Sequence, residues 1–286
     1  MIKVSELQFE YGRKRVYENF SLSLNTPGVY GLFGRNGSGK STLLKILAGL
    51  LFAHAGKVEV LGSNPAARLP GFLQQVYLVP EEFHLPDISL AALLKTHAPF
   101  YPGFSASDFA SYVETFEIPA GKGFGSMSLG QKKKAVLAFA LATHTPLLLM
   151  DEPTNGLDIM GRVQFKAIMG RPEHAGRVVI ISTHQAHDLE SLMSHVLFID
   201  DGKLALSASM ATLQHALQLG VCDDAAGCDG SIYREALGNQ WAFVRTSHSG
   251  TASAVNLELL YKALSINKQG VLDAVAKSRA ENGSGA

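Results

Sequence analysis

Residues Gly34-Arg35-Asn36-Gly37-Ser38-Gly39-Lys40-Ser41 form an unbroken G-x-x-x-x-G-K-S run with Thr42 directly after it, and such a run can work only between a strand and a helix. Both flanks comply. Val29-Tyr30-Gly31-Leu32-Phe33 reads as a short apolar strand, and Thr42-Leu43-Leu44-Lys45-Ile46-Leu47-Ala48 is a good helix former closed by Gly49. A glycine-rich turn with an incidental lysine would need neither flank. The glycines let successive backbone N–H groups curl inward toward phosphate oxygens, and the positive end of the following helix adds to the attraction. Lys40 is expected to reach the β- and γ-phosphates of a nucleotide, and the Ser41 hydroxyl to ligate Mg²⁺.

Bulk properties admit this and add little. The chain has 286 residues, which suits one large domain or a domain with an extension, and its 25 basic and 25 acidic side chains give no field for nucleic acid. Cys222 and Cys228 are too few for a disulfide framework. With Asp223, Asp224 and Asp229 nearby they read as two incidental thiols in a loop rather than a metal site, in keeping with a reducing cytosol. Met1-Ile2-Lys3-Val4 opens no apolar secretion segment. The longest apolar stretch, Leu43 to Ala53, is broken by Lys45 and falls short of the ~18–20 residues of a membrane span. Any work at a membrane is expected to go through docking onto another protein.

The periodicity is α/β. Ile2 to Phe9 and Phe20 to Leu24 alternate as antiparallel strands do, and Lys57 to Val60 reads as another strand. Gln75 to Val79 reads as a buried strand ending at Pro80, Leu147 to Met150 and Val178 to Ile181 are continuous apolar runs, the pattern of parallel strands covered on both faces, and Val196 to Ile199 follows as a further apolar run. Asp200-Asp201-Gly202 marks a turn. Residues from about 86 to 127 read as short helices with Pro and Gly breaks, and Ala135 to Ala142 is strongly helical. Beyond about residue 208 the pattern weakens, although Leu257, Leu260, Tyr261 and Leu264 fall on one helix face. Ser278 to Ala286 has the composition of a disordered tail.

Asp151 and Glu152 end the Leu147–Met150 strand, at the edge of a parallel sheet where ligands bind. Asp151 is expected to hold Mg²⁺ and Glu152 to orient and deprotonate an attacking water. Two acids capping the turn before Pro153 would satisfy the local pattern alone; the upstream phosphate loop favours the catalytic reading.

Taken in order, these motifs resemble the ATP-binding-cassette ATPases over about residues 1–208. Asp151-Glu152-Pro153-Thr154-Asn155-Gly156-Leu157-Asp158 is similar to the family's Walker B motif running into its D-loop, with Asp158 as the D-loop aspartate. His184 ends its strand as the family's switch histidine does, and Tyr11 matches the aromatic that stacks on adenine. The segment Met127-Ser128-Leu129-Gly130-Gln131 resembles the family signature, with Leu129 in place of the first glycine and Ser128, Gly130 and Gln131 kept. By that resemblance Ser128, Gly130 and Gln131 touch the γ-phosphate held by a partner subunit. Ser128 is equally a good helix N-cap. Lys132, Lys133 and Lys134 sit where the helix dipole disfavours cations, so a nearby anion such as a triphosphate, or plain solvation, must explain them. Glu81 stands where the family commonly carries a metal-sensing glutamine, and a carboxylate there can still ligate Mg²⁺.

The resemblance implies an α/β fold: a phosphate-loop NTPase core with a mostly parallel sheet, an antiparallel β-subdomain and an inserted helical subdomain at about 82–141. A C-terminal extension follows over 209–286. It further implies an ATPase using ATP and Mg²⁺, peripheral at the cytoplasmic face of the cell membrane. Such a subunit energises a polytopic membrane subunit of an exporter-type transporter, and pairs as a homodimer or with a paralogous ATPase subunit. No nucleic-acid partner is expected. Two rivals remain at this point, a soluble cassette ATPase and a low-turnover, nucleotide-dependent regulatory module.

Overall fold

The computed structural model describes residues 1–184, 189–247 and 253–283. The chain divides into two compact units, Met1–His184 with Ile199–Leu204, and Gln185–Phe198 with Ala205–Ala286.

The first unit opens with β1 (Ile2–Tyr11) and β2 (Lys14–Leu24), then β3 (Gly28–Phe33), α1 (Lys40–Leu47) and β4 (Ala55–Val60). β2, β1 and β4 form a three-stranded antiparallel sheet in that order. Alternation drives it: Ile2, Val4, Leu7 and Phe9 are buried on one face of β1. A register shift between Val4 and Leu7 surrounds Glu6, whose φ of 52° marks a bulge.

A one-turn helix α2 (Pro70–Leu73) precedes β5 (Val76–Val79), and then come α3 (Leu90–His97), α4 (Ala106–Thr115) and α5 (Leu129–Ala142). Each of these last three helices starts on a serine that accepts a backbone N–H, namely Ser89, Ser105 and Ser128. They gather around Phe139, whose ring lies 5.2 to 6.4 Å from those of Tyr77, His97, Tyr101, Phe104 and Phe109. Truncating so buried an aromatic costs about 3–5 kcal/mol.

β6 (Leu147–Asp151), α6 (Ile159–Met169) and β7 (Val178–Ser182) complete the nucleotide side. The parallel strands run in the order β5-β6-β7-β3. Every residue of β6 and β7 is buried, as expected of apolar runs covered on both faces. β8 (His195–Asp200) and β9 (Lys203–Ser209) meet at Asp201 and Gly202, with φ of 46° and 67°, the positive pair of a tight hairpin turn.

In the second unit α7 (Met210–Ala216) leads into β10 (Leu217–Cys222), β11 (Tyr233–Leu237) and β12 (Gln240–Thr246), an antiparallel sheet in the order β10-β12-β11. α8 (Leu257–Ile266) buries Leu257, Leu260 and Leu264, as its periodicity predicts, with Tyr261 part-buried beside them.

Three sequence expectations are corrected. Cys222 and Cys228 are joined in a disulfide, because a helical turn at Ala226–Cys228 folds the chain back onto the end of β10. The tail assigned to disorder is helical as far as Gly283, in α9 (Lys268–Gly283), and residues 284–286 lie outside the described residues. Lys277, Arg279, Ala280 and Glu281 are good helix formers, and the nearby Val271, Ala274 and Val275 are buried. Finally, plain solvation does not account for Lys133 and Lys134. Lys133 is 2% exposed, and Lys134 bonds the Gln164 side chain at 3.0 Å and lies 3.6 Å from Asp158.

Candidate functional site

The loop between β3 and α1 is shaped by its glycines. Gly34, Gly37 and Gly39 have φ of 155°, 80° and 107°. At Gly39 a Cβ would lie 2.5 Å from the Tyr17 hydroxyl, so both conformation and space demand glycine there. The Tyr17 hydroxyl donates to the Gly39 carbonyl at 2.7 Å from beneath the loop, and burial pushes its pKa up, so it stays a donor.

Lys40 begins α1, and its ammonium donates to the carbonyls of Gly34 at 2.9 Å and Arg35 at 3.2 Å. Burial lowers its pKa, while Glu152, Asp151 and Glu81 act in the opposite sense. The same pocket collects Tyr11, Asn36, Ser41, Thr42 and His184. It holds about 390 Å³. Tyr11 is 48% exposed at its rim, and its hydroxyl lies 3.4 Å from that of Thr42. Arg35 and Ser38 belong to the loop; the buried Ser38 hydroxyl has no protein partner among the described residues.

The acidic wall comes from the ends of β6 and β7. Ser182 is in register with both Asp151 on one side and Leu32 of β3 on the other. Its hydroxyl donates to Asp151 Oδ1, and its carbonyl accepts the Glu152 N–H at 3.0 Å. Glu152 has φ of 44°, a conformation that a non-glycine residue adopts only when its surroundings impose it. Glu152 is 6% exposed. Oε1 lies 2.8 Å from His184 Nδ1, and Oε2 is buried without a partner among the described residues. Glu81 meets the pocket from the end of β5, its Oε1 accepting from Asn155 Nδ2 at 3.1 Å.

The structure therefore brings together the phosphate loop, Tyr11, Glu81, Asp151, Glu152 and His184. It does not bring Ser128, Gly130, Gln131 or Asp158 into that pocket. Ser128 and Gln131 cap α5 reciprocally, Ser128 Oγ accepting from Gln131 N–H at 3.2 Å and Gln131 Oε1 accepting from Ser128 N–H at 3.0 Å. A Cβ on Gly130 would lie 3.2 Å from the Gly156 carbonyl. Asp158 caps α6, accepting from Gly161 N–H at 2.7 Å. Leu129, at 67% exposure, and Ile159, at 81%, leave this edge apolar and open.

Ser182 is a functional residue that the sequence does not single out. No local signal marks it as the orienting group of Asp151, because that role depends on parallel register.

A family profile described as "ABC transporter" matches residues 17–155. The Nod factor export ATP-binding protein I of Burkholderia orbicola (strain AU 1054) is 30% identical over 240 residues, which cover 80% of this chain and 74% of that protein. The aliphatic sulfonates import ATP-binding protein SsuB of Corynebacterium glutamicum is 32% identical over 211 residues, covering 72% of this chain and 83% of SsuB. The bacitracin transport ATP-binding protein BcrA of Bacillus licheniformis is 28% identical over 218 residues, covering 71% and 68%. Among solved structures, the ATP-binding subunit of an ABC transporter superposes with a TM-score of 0.67 at 23% identity, covering 75% of this chain and 92% of that one. That likeness shows the fold.

Proposed function

We propose that this chain, which belongs to the ABC transporter family and is an ATP-binding, ATP-hydrolysing subunit energising a transporter, works by closing with a second cassette over nucleotide and reopening on hydrolysis. The observation that carries the catalytic assignment is the Glu152 carboxylate. It is buried, held in a strained backbone at a strand end, tied to His184 through Oε1, and belongs to a residue that lines the pocket. A general base needs a carboxylate held beside the bound nucleotide, and Glu152 is placed there. Glu152 takes the proton of the attacking water, and His184 orients Glu152 and faces the γ-phosphate.

The backbone N–H groups of Gly34 to Thr42 and the Lys40 ammonium hold the phosphates, and Lys40 exchanges its two carbonyl partners for anionic oxygens. Tyr11 supports the adenine from the rim. The all-oxygen donor set of the Ser41 hydroxyl and the Asp151 and Glu81 carboxylates fits Mg²⁺, which would neutralise phosphate charge there. Ser182 keeps the Asp151 carboxylate aimed at that position.

Ser128, Gly130 and Gln131 serve the nucleotide of the opposing subunit, a copy of this chain or a paralogue, and Asp158 meets that subunit beside them. The open apolar edge at Leu129 and Ile159 supports such a partner. The transport path is assigned to a separate polytopic subunit, with this chain peripheral at its cytoplasmic face; among the described residues no helix is long and apolar enough to cross a membrane. Export is the direction we assign. Nod factor export protein I favours it, whereas SsuB is named for import.

The test is to purify the chain and its co-purifying membrane protein, and to measure phosphate release from Mg²⁺-ATP and transport in oriented vesicles. Failure of any polytopic membrane protein to co-purify would sink the transport role, and uptake in the cytoplasmic direction would reverse the assigned direction.

A further inference from the structure

Lys133 is the least explained charge in the first unit. It lies one turn into α5, two residues beyond the Gln131 cap, and is 2% exposed. Among the described residues its ammonium meets no carboxylate oxygen within 4.0 Å. It donates to the carbonyls of Pro80 and Glu81, both at 3.3 Å, and sits 5.5 Å from the centre of the Phe83 ring. Two carbonyls and an aromatic face are a modest compensation for a cation removed from water. Burial lowers its pKa, and the nearby Glu81, Asp151 and Glu152 counter the shift, so the lysine shares an electrostatic environment with the nucleotide pocket.

What Lys133 grips is the backbone that aims Glu81. β5 ends at Val79, and the carbonyls of the next two residues are the ones it holds. The Glu81 side chain leaves the same residue toward the pocket, where it accepts from Asn155 Nδ2, and Asn155 N–H in turn donates to the Glu152 carbonyl at 3.2 Å. On the other side, Ser128 and Lys133 are separated by little more than one helical turn, about 7–8 Å of rigid rise. A displacement of the α5 start must therefore move the Pro80–Glu81 backbone or break two charge-assisted bonds.

We propose that Lys133 is a positioning residue: by holding the Pro80 and Glu81 carbonyls it couples the start of α5 to the Glu81 carboxylate at the metal edge of the nucleotide pocket. This rests on the reading of that pocket as a Mg²⁺-ATP site. The coupling gives Glu81 a place that depends on where α5 sits, so engagement of Ser128–Gln131 by an opposing subunit would be felt at Glu81.

Charge and position predict opposite signs, which makes the test sharp. Removing a cation near three carboxylates strengthens the local attraction for Mg²⁺, whereas releasing the Glu81 backbone weakens it. The experiment titrates Mg²⁺ against equilibrium binding of a fluorescent ATP analogue to the full chain, for wild type, Lys133→Met, Glu81→Gln and the double variant. Expected is a rise of at least fivefold in the Mg²⁺ midpoint for Lys133→Met, with Mg²⁺-free nucleotide affinity changed by less than threefold. In the Glu81→Gln background the same substitution is expected to move the midpoint by less than twofold. An unchanged or lowered midpoint, or an equal rise in both backgrounds, overturns the proposal. Should Lys133→Met lose its thermal transition, Lys133→Gln is read by the same criteria. Absence of Mg²⁺-dependent binding by the wild-type chain would instead overturn the reading of the pocket itself.

Discussion

Replacing Glu152 by Gln separates binding from chemistry. The amide matches the carboxylate in size, and a Gln Oε1 or Nε2 can keep the 2.8 Å contact with His184 Nδ1. It cannot take a proton from water at neutral pH. A positioned general base contributes about 10²- to 10⁴-fold, or about 3–5.5 kcal/mol of barrier at about 1.4 kcal/mol per decade. Lys40, Ser41 and Asp151 are untouched, so affinity for Mg²⁺-ATP should stay within about threefold, worth about 0.6 kcal/mol. Turnover should fall by at least 10²-fold in a phosphate-release assay. With hydrolysis blocked and binding intact, closed pairs should accumulate, seen as an ATP-dependent doubling of mass by light scattering that wild type shows weakly. A missing doubling would implicate an absent paralogue or membrane subunit. Hydrolysis within tenfold of wild type would refute the assignment of Glu152 as the base.

Lys40→Ala removes the ammonium that faces the phosphate loop; losing charge-assisted bonds of about 1.5–3 kcal/mol should weaken ATP binding ~10- to 150-fold and abolish hydrolysis, and near-normal affinity by calorimetry would contradict it. Glu81→Gln should shift the Mg²⁺ dependence of ATPase activity without abolishing it; an unchanged titration would place Glu81 outside the metal's reach. Stability should fall in acid through His174, 6% exposed, whose pKa is lowered to about 3 by burial first and then by Arg177, His144 and Arg171. Because the folded state resists protonation, stability is complete above the unfolded value of about 6.5 and declines toward pH 3. The loss is about 1.4 kcal/mol per pH unit, or about 2 kcal/mol between pH 7 and pH 5. His174→Gln should flatten that slope in urea titrations, and an unaltered slope would place the acid sensitivity elsewhere.

The phosphate loop, the buried strands and the acidic pair were legible because each is local: composition and period report directly on a strand, a loop and a helix start. What escaped depends on partners distant in sequence. Ser182 gains its role only when β7 lies in parallel register between β3 and β6. The lysines after Gln131 look alike in sequence, yet one residue of helical rotation sends Lys133 to the Pro80–Glu81 carbonyls and Lys134 to Gln164 and Asp158. The hairpin of β11 and β12 did leave a signal. Gly238-Asn239 lies between Tyr233–Leu237 and Gln240–Thr246, a two-residue turn between strands, with φ of 62° at Gly238. Arg234, Glu235 and Gln240 dilute the apolar alternation on either side of it.

The position of Glu152 shows why the catalytic geometry needs the sheet rather than the motif alone. A left-handed glutamate costs about 1–3 kcal/mol, and nothing in the five residues of β6 offsets it. The compensation comes from β7: Ser182 accepts the Glu152 N–H and donates to Asp151, so one residue fixes both the backbone that turns and the carboxylate before it. The two acids consequently diverge, Asp151 toward the position where a metal fits and Glu152 toward His184. Adjacent carboxylates in an ordinary strand would point to opposite faces of the sheet, one of them away from the pocket. The strained φ is what brings both to the same pocket, and Ser182 is what sustains it.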